Sequence, residues 1–148
     1  MSVIGGDSDT CAEEDLEMAR AVGRGIAKLG AILVCGGRGG VMEASCRGAK
    51  EEGGATIGIL PSSDRKEANP YVDHAIVTGM GVMRNALVVM NGDIVVAIDG
   101  GYGTLSEISF AHKYKKKVLG IGTWELDIVE AHDTPEELLD ALKRYLSR

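Results

Sequence analysis

The sequence predicts a single α/β domain over residues 1–148, built as a doubly wound parallel sheet in a three-layer α/β/α arrangement. Three observations lead there. Apolar, β-branched runs alternate with helical stretches along the whole chain, and the runs are apolar throughout, as strands covered on both faces must be. Two of these runs, 31–35 and 93–98, open through glycine-rich loops into helices. The length suits one domain, since a chain of this size buries about 68–70% of its unfolded surface. No Pro/Ser linker, low-complexity tract or internal repeat divides it.

The first strand is the short segment at Val3 and Ile4, with Gly5-Gly6 as its loop. A helix over 11–29 follows, with Leu16, Ala19, Gly23, Ile26 and Leu29 on one stripe. Thr10 and Glu13 have the spacing of a capping box before it, and Gly30 stands where a C′ glycine ends a helix. Strand 31–35, the loop Gly36-Gly37-Arg38-Gly39-Gly40 and a helix over 41–52 come next, closed by Gly53-Gly54. The third strand is 55–60. Residues 61–70 form the one long polar connection, of the kind that covers a site as a mobile loop.

Strand 75–77 precedes a helix over 82–90 that is apolar on nearly every face except at Arg84 and Asn85. Such a helix is buried all round, within the domain or against a second subunit. Strand 93–98, a helix over 105–114 and strand 118–121 follow. A weaker strand at 128–130 leads to a final helix opened by Thr134-Pro135-Glu136-Glu137, a capping box with proline at N1. Right-handed crossovers bring the strand C-termini of this Rossmann-like sheet to one edge. Ligands bind at that edge, near the switch in strand order. The loops after the first, second and fifth strands meet there.

A formal charge of −6 argues against nucleic-acid and membrane-surface partners, which call for a basic patch. The lysines at 113 and 115–117 suit a solvated helix C-terminus. Cys11, Cys35 and Cys46 cannot all pair and lack zinc-ligand spacing, so reduced thiols in a cytoplasmic protein are expected, with no metal. No secretory signal or membrane-length apolar run is evident.

The chemistry concentrates in Gly100-Gly101-Tyr102-Gly103-Thr104-Leu105-Ser106-Glu107, directly after strand 93–98. Glycines let backbone N–H groups approach a phosphate, and the helix start adds partial positive charge and unpaired donors. The first ligand to expect is therefore a phosphorylated small molecule on Gly100, Gly101, Tyr102, Gly103 and Thr104. The same device recurs at Gly36, Gly37, Arg38 and Gly40, and Gly6 and Ser8 of the first loop face the same edge. Glu107 is either a catalytic carboxylate one turn into the helix or the N3 partner of a capping box with Thr104. Helical side chains lean toward the N-terminus, so Glu107 reaches whatever the loop holds. Arg84, a lone cation on an apolar helix, must reach water, a carboxylate or an anionic ligand. Arg38 is a phosphate or carboxylate contact or a solvated loop tip. His74, His112 and His132 have no partner at triad or metal spacing. Met42, Met80, Met83 and Met90 suit core or interface packing.

Three segments, Gly36-Gly37-Arg38-Gly39-Gly40-Val41-Met42-Glu43-Ala44, Met83-Arg84-Asn85 and Gly100 to Glu107, together resemble the LOG-like family. That group has carried the label "possible lysine decarboxylase" and includes cytokinin-activating nucleoside 5′-monophosphate phosphoribohydrolases. Its wider superfamily includes molybdenum cofactor carrier proteins. The resemblance implies Arg84 and Glu107 as a catalytic pair, phosphate on Gly100, Gly101, Gly103 and Thr104, and a homodimer or larger homo-oligomer. Asp99 stands where the motif has proline, and Arg84-Asn85 where it has Arg-Lys. Gly40-Val41-Met42-Glu43-Ala44 is closer to the carrier-like branch.

The expected function is binding of a phosphorylated, nucleotide-like ligand at the 100–104 loop, with hydrolysis of a nucleoside 5′-monophosphate's N-glycosidic bond as the implied chemistry. Glu107 would stabilise an oxocarbenium-like ribose and help activate water, while Arg84 orients it. The alternative is a non-catalytic carrier or sensor of a phosphorylated cofactor such as the molybdenum cofactor. Neither reading requires a further cofactor. A nicotinamide-dependent oxidoreductase is disfavoured, because strand 31–35 ends in glycines where an acidic residue would hold the ribose. A P-loop NTPase is excluded for want of Gly-Lys-Ser/Thr.

Overall fold

The computed structural model describes residues 1–147. The sheet runs β4-β3-β2-β1-β5-β6-β7, and every neighbouring pair is parallel. Its strands are β1 (Ser2–Gly5), β2 (Leu33–Cys35), β3 (Thr56–Leu60), β4 (His74–Val77), β5 (Ile94–Ile98), β6 (Lys117–Ile121) and β7 (Val129–His132). Its helices are α1 (Glu13–Lys28), α2 (Val41–Glu51), α3 (Asn85–Met90), α4 (Tyr102–Lys113) and α5 (Pro135–Leu146). The expected fold class is the one observed.

Period-two alternation explains why the strands are apolar throughout. Val3, Val96 and Ile98 face a cluster under α1, α2 and α5 that includes Val22, Ile26 and Leu142. Ile4, Val95 and Ala97 face the opposite cluster, with Val88, Val89 and Ile108 of α3 and α4. Each strand thus needs apolar residues at odd and even positions alike. Helices α1 and α2 meet through glycine: a Cβ on Gly23 would run into the Ser45 carbonyl, and one on Gly48 into that of Arg20.

The boundaries correct several expectations. The N-cap of α1 is Ala12, two residues beyond the expected cap at Thr10; Asp15 accepts the Ala12 N–H at 2.9 Å, while Thr10 Oγ1 donates to the Asp7 carbonyl. The helix starts late because the loop after β1 folds onto that carbonyl, which also takes the N–H groups of Thr10 and Cys11. Its end is as expected. Gly30 sits at φ 72° in a Schellman arrangement, with Gly30 N–H on Ala27 and Ala31 N–H on Ile26. At α5, Thr134 Oγ1 accepts the Glu137 N–H, but Glu137 reaches the N–H of Asp133 and not that of Thr134. The weak last strand lies at 129–132, slightly later than expected.

The segment 82–90 is no single helix. Gly81–Arg84 is a 3₁₀ turn and α3 begins at Asn85. Nor is it buried all round, since Val88 and Val89 are in the core while Val82 and Met83 are 80% and 61% exposed. The 61–70 connection contains a short 3₁₀ turn and, near its end, Asn69, which is buried.

Because β1 lies between β2 and β5, the chain leaves β1 toward one side and β5 toward the other. Their loops diverge at the C-terminal edge, which opens a crevice there.

Candidate functional site

A cleft of about 500 Å³ occupies that crevice. The loops after β1, β2 and β5 all border it, with the 3₁₀ turn and the starts of α3 and α4 closing the sides. Of the residues singled out from the sequence, Gly6, Gly36, Arg38, Arg84, Gly101, Gly103, Thr104 and Glu107 line it. Ser8, Gly37, Gly40, Gly100 and Tyr102 are outside the lining and shape the loops instead.

The first turn of α4 is the centre of the site. The helix starts at Tyr102, three residues before the expected start, with Gly101 as N-cap. Thr104 is therefore already inside the helix, and of the two roles the sequence left open for Glu107 the capping box with Thr104 is not formed. The first intrahelical bond runs from Leu105 N–H to the Gly101 carbonyl at 3.1 Å. The N–H groups of Tyr102, Gly103 and Thr104 have no intrahelical acceptor, and no side chain caps the helix. Gly100, at φ 115°, leaves the space its Cβ would need to the Thr104 side chain. Thr123 Oγ1 donates to the Asp99 carbonyl and Trp124 Nε1 to that of Gly101, so the connection after β6 holds this loop in place. Tyr102 is 83% exposed, its ring 5.9 Å from that of Trp124.

The second glycine loop differs from the first. Gly40 adopts φ 64° where a side chain would strike the loop after β1, and Val41 N–H at the start of α2 already donates to the Gly6 carbonyl at 3.0 Å. This helix start supports the neighbouring loop. Asn69 clamps the other end, its Nδ2 donating to the Arg38 carbonyl and its N–H to that of Gly37. The long polar connection thus braces the second glycine loop. Ser8 is exposed and hydrogen-bonds through both N–H and Oγ to Asp7 Oδ1.

Arg84 is only 8% exposed, and its guanidinium lies against Gly36, where a Cβ would stand 2.5 Å from Nη1. Nη1 donates to Asn85 Oδ1 at 2.8 Å, and Nε is buried with no hydrogen-bond partner among the described residues. Glu107, 6% exposed, faces the same cleft. Burial pushes its carboxyl up to about 8, against the pull of Arg84 and with a small push from Cys35. Burial likewise lowers Arg84, opposed chiefly by Glu107. Two residues 23 positions apart in sequence are therefore electrically coupled at one edge of the sheet, without a direct ion pair between them.

Sequence reasoning missed two neighbours of this pair. Cys35 Sγ lies buried beneath Gly36, accepting the Gly37 N–H and standing 3.5 Å from Cys46 Sγ. The Cys46 thiol hydrogen bond holds Cys35 below the usual thiol range, while the same contact and burial raise Cys46. Both are free cysteines. Asn85, adjacent to Arg84, is buried in the cleft wall, and that adjacency was its only signal in the sequence.

Residues 1–144 match the SLOG cluster4 family. The chain belongs to that family. This SLOG protein is similar to the molybdenum cofactor binding protein of Rippkaea orientalis, with 36% identity and a TM-score of 0.92 over 98% of this chain and 95% of that one. It is equally similar in fold to the molybdenum cofactor carrier protein of Chlamydomonas reinhardtii, at 35% identity and a TM-score of 0.92 over 99% and 97%. It is also 32% identical to a cytokinin riboside 5′-monophosphate phosphoribohydrolase of Mycobacterium tuberculosis across 86% of this chain, but spans only 63% of that protein. The LOG-like membership implied by the glycine motifs, with molybdenum cofactor carriers among the relatives, is thereby established. No helix among the described residues is long and apolar enough to cross a membrane.

Proposed function

We propose that this SLOG protein binds a phosphorylated, nucleotide-like ligand. The phosphate sits on the N–H groups of Tyr102, Gly103 and Thr104, and the rest of the ligand runs along the cleft past Arg84 and Glu107. One observation carries this reading: open helix-start donors and a buried guanidinium with an unpartnered Nε share a single cleft. Burying a guanidinium without a full set of acceptors is expensive, and an anionic ligand supplies them. Glu107 is compatible with a nearby phosphate because its carboxyl, pushed up to about 8 by burial, is uncharged at lower pH and has a proton to offer an oxyanion.

Carriage is the reading we favour, with a phosphorylated pterin of the molybdenum cofactor class as cargo. Similarity over nearly the whole chain to the Rippkaea and Chlamydomonas proteins supports it. So does the protonation of Glu107, because an uncharged carboxyl does little for a developing ribosyl cation. The second reading is hydrolysis, and the facing of Arg84 and Glu107 across one cleft favours it. There, the N-glycosidic bond breaks as the leaving base takes the proton of Glu107, water adds its oxygen to the anomeric carbon, and the Glu107 carboxylate takes the proton that the water loses. Arg84 orients the phosphate or sugar. In either reading the protein works as a homodimer or larger homo-oligomer in the cytoplasm, with its thiols reduced.

Incubation with AMP and analogues, assayed for free base and ribose 5-phosphate, separates the two when run beside a binding titration with molybdopterin. Carriage predicts tight molybdopterin binding and no released base. Release of base that disappears in Glu107→Gln establishes the hydrolase instead. Absence of binding by phosphate, AMP and molybdopterin alike would overturn the proposal.

A further inference from the structure

Asn85 sits between the guanidinium of Arg84 and the first turn of α4, and its hydrogen bonds run in one direction. Arg84 Nη1 donates to Asn85 Oδ1 at 2.8 Å, Asn85 Nδ2 donates to Ser106 Oγ at 3.3 Å, and Ser106 Oγ donates to the Gly103 carbonyl at 2.6 Å. The order cannot be reversed. A guanidinium only donates, so the amide must turn its oxygen toward Arg84 and its nitrogen away. The single proton of the Ser106 hydroxyl goes to Gly103, which leaves a lone pair facing Asn85. A side chain of this length that both accepts and donates is needed at position 85, and asparagine supplies it. Asn85 is itself buried, which makes each of these bonds costly to lose.

We infer that Asn85 is a positioning residue, one that acts through Arg84 and ties the guanidinium to the helix start through Ser106. Nη1 is held by Asn85 and the guanidinium packs against Gly36, which together favour the buried position of Arg84 over one in solvent. Gly103 belongs to the turn whose N–H groups are open, so the relay fixes the cation and the helix-start donors in one frame. An oxyanion then meets both without reorganisation, which is where preorganised sites gain affinity. This inference rests on the reading that Arg84 and the start of α4 share the ligand.

The test joins a ligand-free measurement to a binding one. Side-chain ¹⁵N NMR of the full chain should show slowed rotation of the Arg84 guanidinium in the wild type, lost in Asn85→Leu and in Ser106→Ala and kept in Ser106→Thr. Calorimetric titration with inorganic phosphate should show affinity about tenfold weaker in Asn85→Leu, the scale of a hydrogen bond to a charged group. Ser106→Ala should weaken it less, and it guards against a folding defect in the leucine variant. In an Arg84→Lys background, Asn85→Leu should cause no further loss, which a merely structural residue would not reproduce. A freely rotating Arg84 in the wild type overturns the inference. So does phosphate affinity unchanged in both Asn85→Leu and Ser106→Ala. If the wild type binds neither phosphate nor AMP, the functional reading falls by itself and the NMR result alone decides the role of Asn85.

Discussion

Burial at Glu107 turns pH into a probe of a single residue. Its carboxyl titrates near 8 in the folded protein and near the ordinary 4.5 when the chain unfolds. The folded state thus holds the proton more tightly, so the stabilisation is complete below about pH 4.5 and is lost as pH rises toward 8. The slope between those limits approaches about 1.4 kcal/mol per pH unit. Glu107→Gln, which keeps the shape and carries no charge, should therefore raise Tm at pH 8 and flatten the decline. Each kcal/mol is worth about 2–4 °C in a domain near this size. Wild-type and variant Tm curves running parallel from pH 5 to pH 8.5 would rule out the buried-acid assignment. A second substitution acts on Arg84 from below. Gly36→Ala places a methyl against the guanidinium, a flexible end that yields, so the fold should survive while Arg84 is displaced. We expect phosphate affinity at least about fivefold weaker, with Tm little changed, because the three atoms nearest the new methyl all belong to the movable end of one side chain and none to the backbone.

Helix starts show what was and was not legible in the sequence. Two Thr-x-x-Glu spacings read as capping boxes and the third, at Thr104 and Glu107, as either a capping box or a catalytic carboxylate, yet of the three threonines only Thr134 caps a helix, at α5. The motif specifies a local competition, and tertiary hydrogen bonds decide its outcome. At α1 the Asp7 carbonyl captures Thr10, and at α4 the glycines let the helix begin before Thr104 is reached. The strands were readable because burial on both faces leaves few alternatives to apolar residues. The convergence of the three loops followed from parallel topology. The clamp by Asn69 and the roles of Cys35 and Asn85 depend on contacts between distant segments, and no local pattern encodes them. The α1–α2 packing carries its own test. A methyl on Gly23 meets the backbone of Ser45, which cannot rotate aside, so the helices must separate. Gly23→Ala should cost at least about 2 kcal/mol, at the upper side of overpacking effects. Chemical denaturation reads it directly, and a midpoint equal to wild type would contradict this helix contact.

At the scale of the whole molecule, the surface around the 3₁₀ turn is apolar. Met80, Val82, Met83 and Met90 are all exposed on the short segment between β4 and β5. Single exposed apolar residues are ordinary, but three within the four residues 80–83 beside a cleft point to an interaction surface. A two-fold pairing lets one self-complementary patch cover itself. Val82 also lines the cleft, and Arg84 and Asn85 of the same lining stand two and three residues after it, so a second subunit seated on the patch would shield the mouth of the site. We therefore expect a homodimer at micromolar concentration by light scattering. Val82→Glu combined with Met83→Lys should give a monomer, because charges at the centre of an apolar contact must be desolvated without partners. Both positions are solvent-exposed in the single subunit, so thermal unfolding of the monomer should remain cooperative. Phosphate binding by that monomer should weaken while the bound stoichiometry per chain stays the same. A wild-type protein that scatters as a monomer at micromolar concentration would remove the interface, and the apolar rim would then have to be part of the ligand site itself.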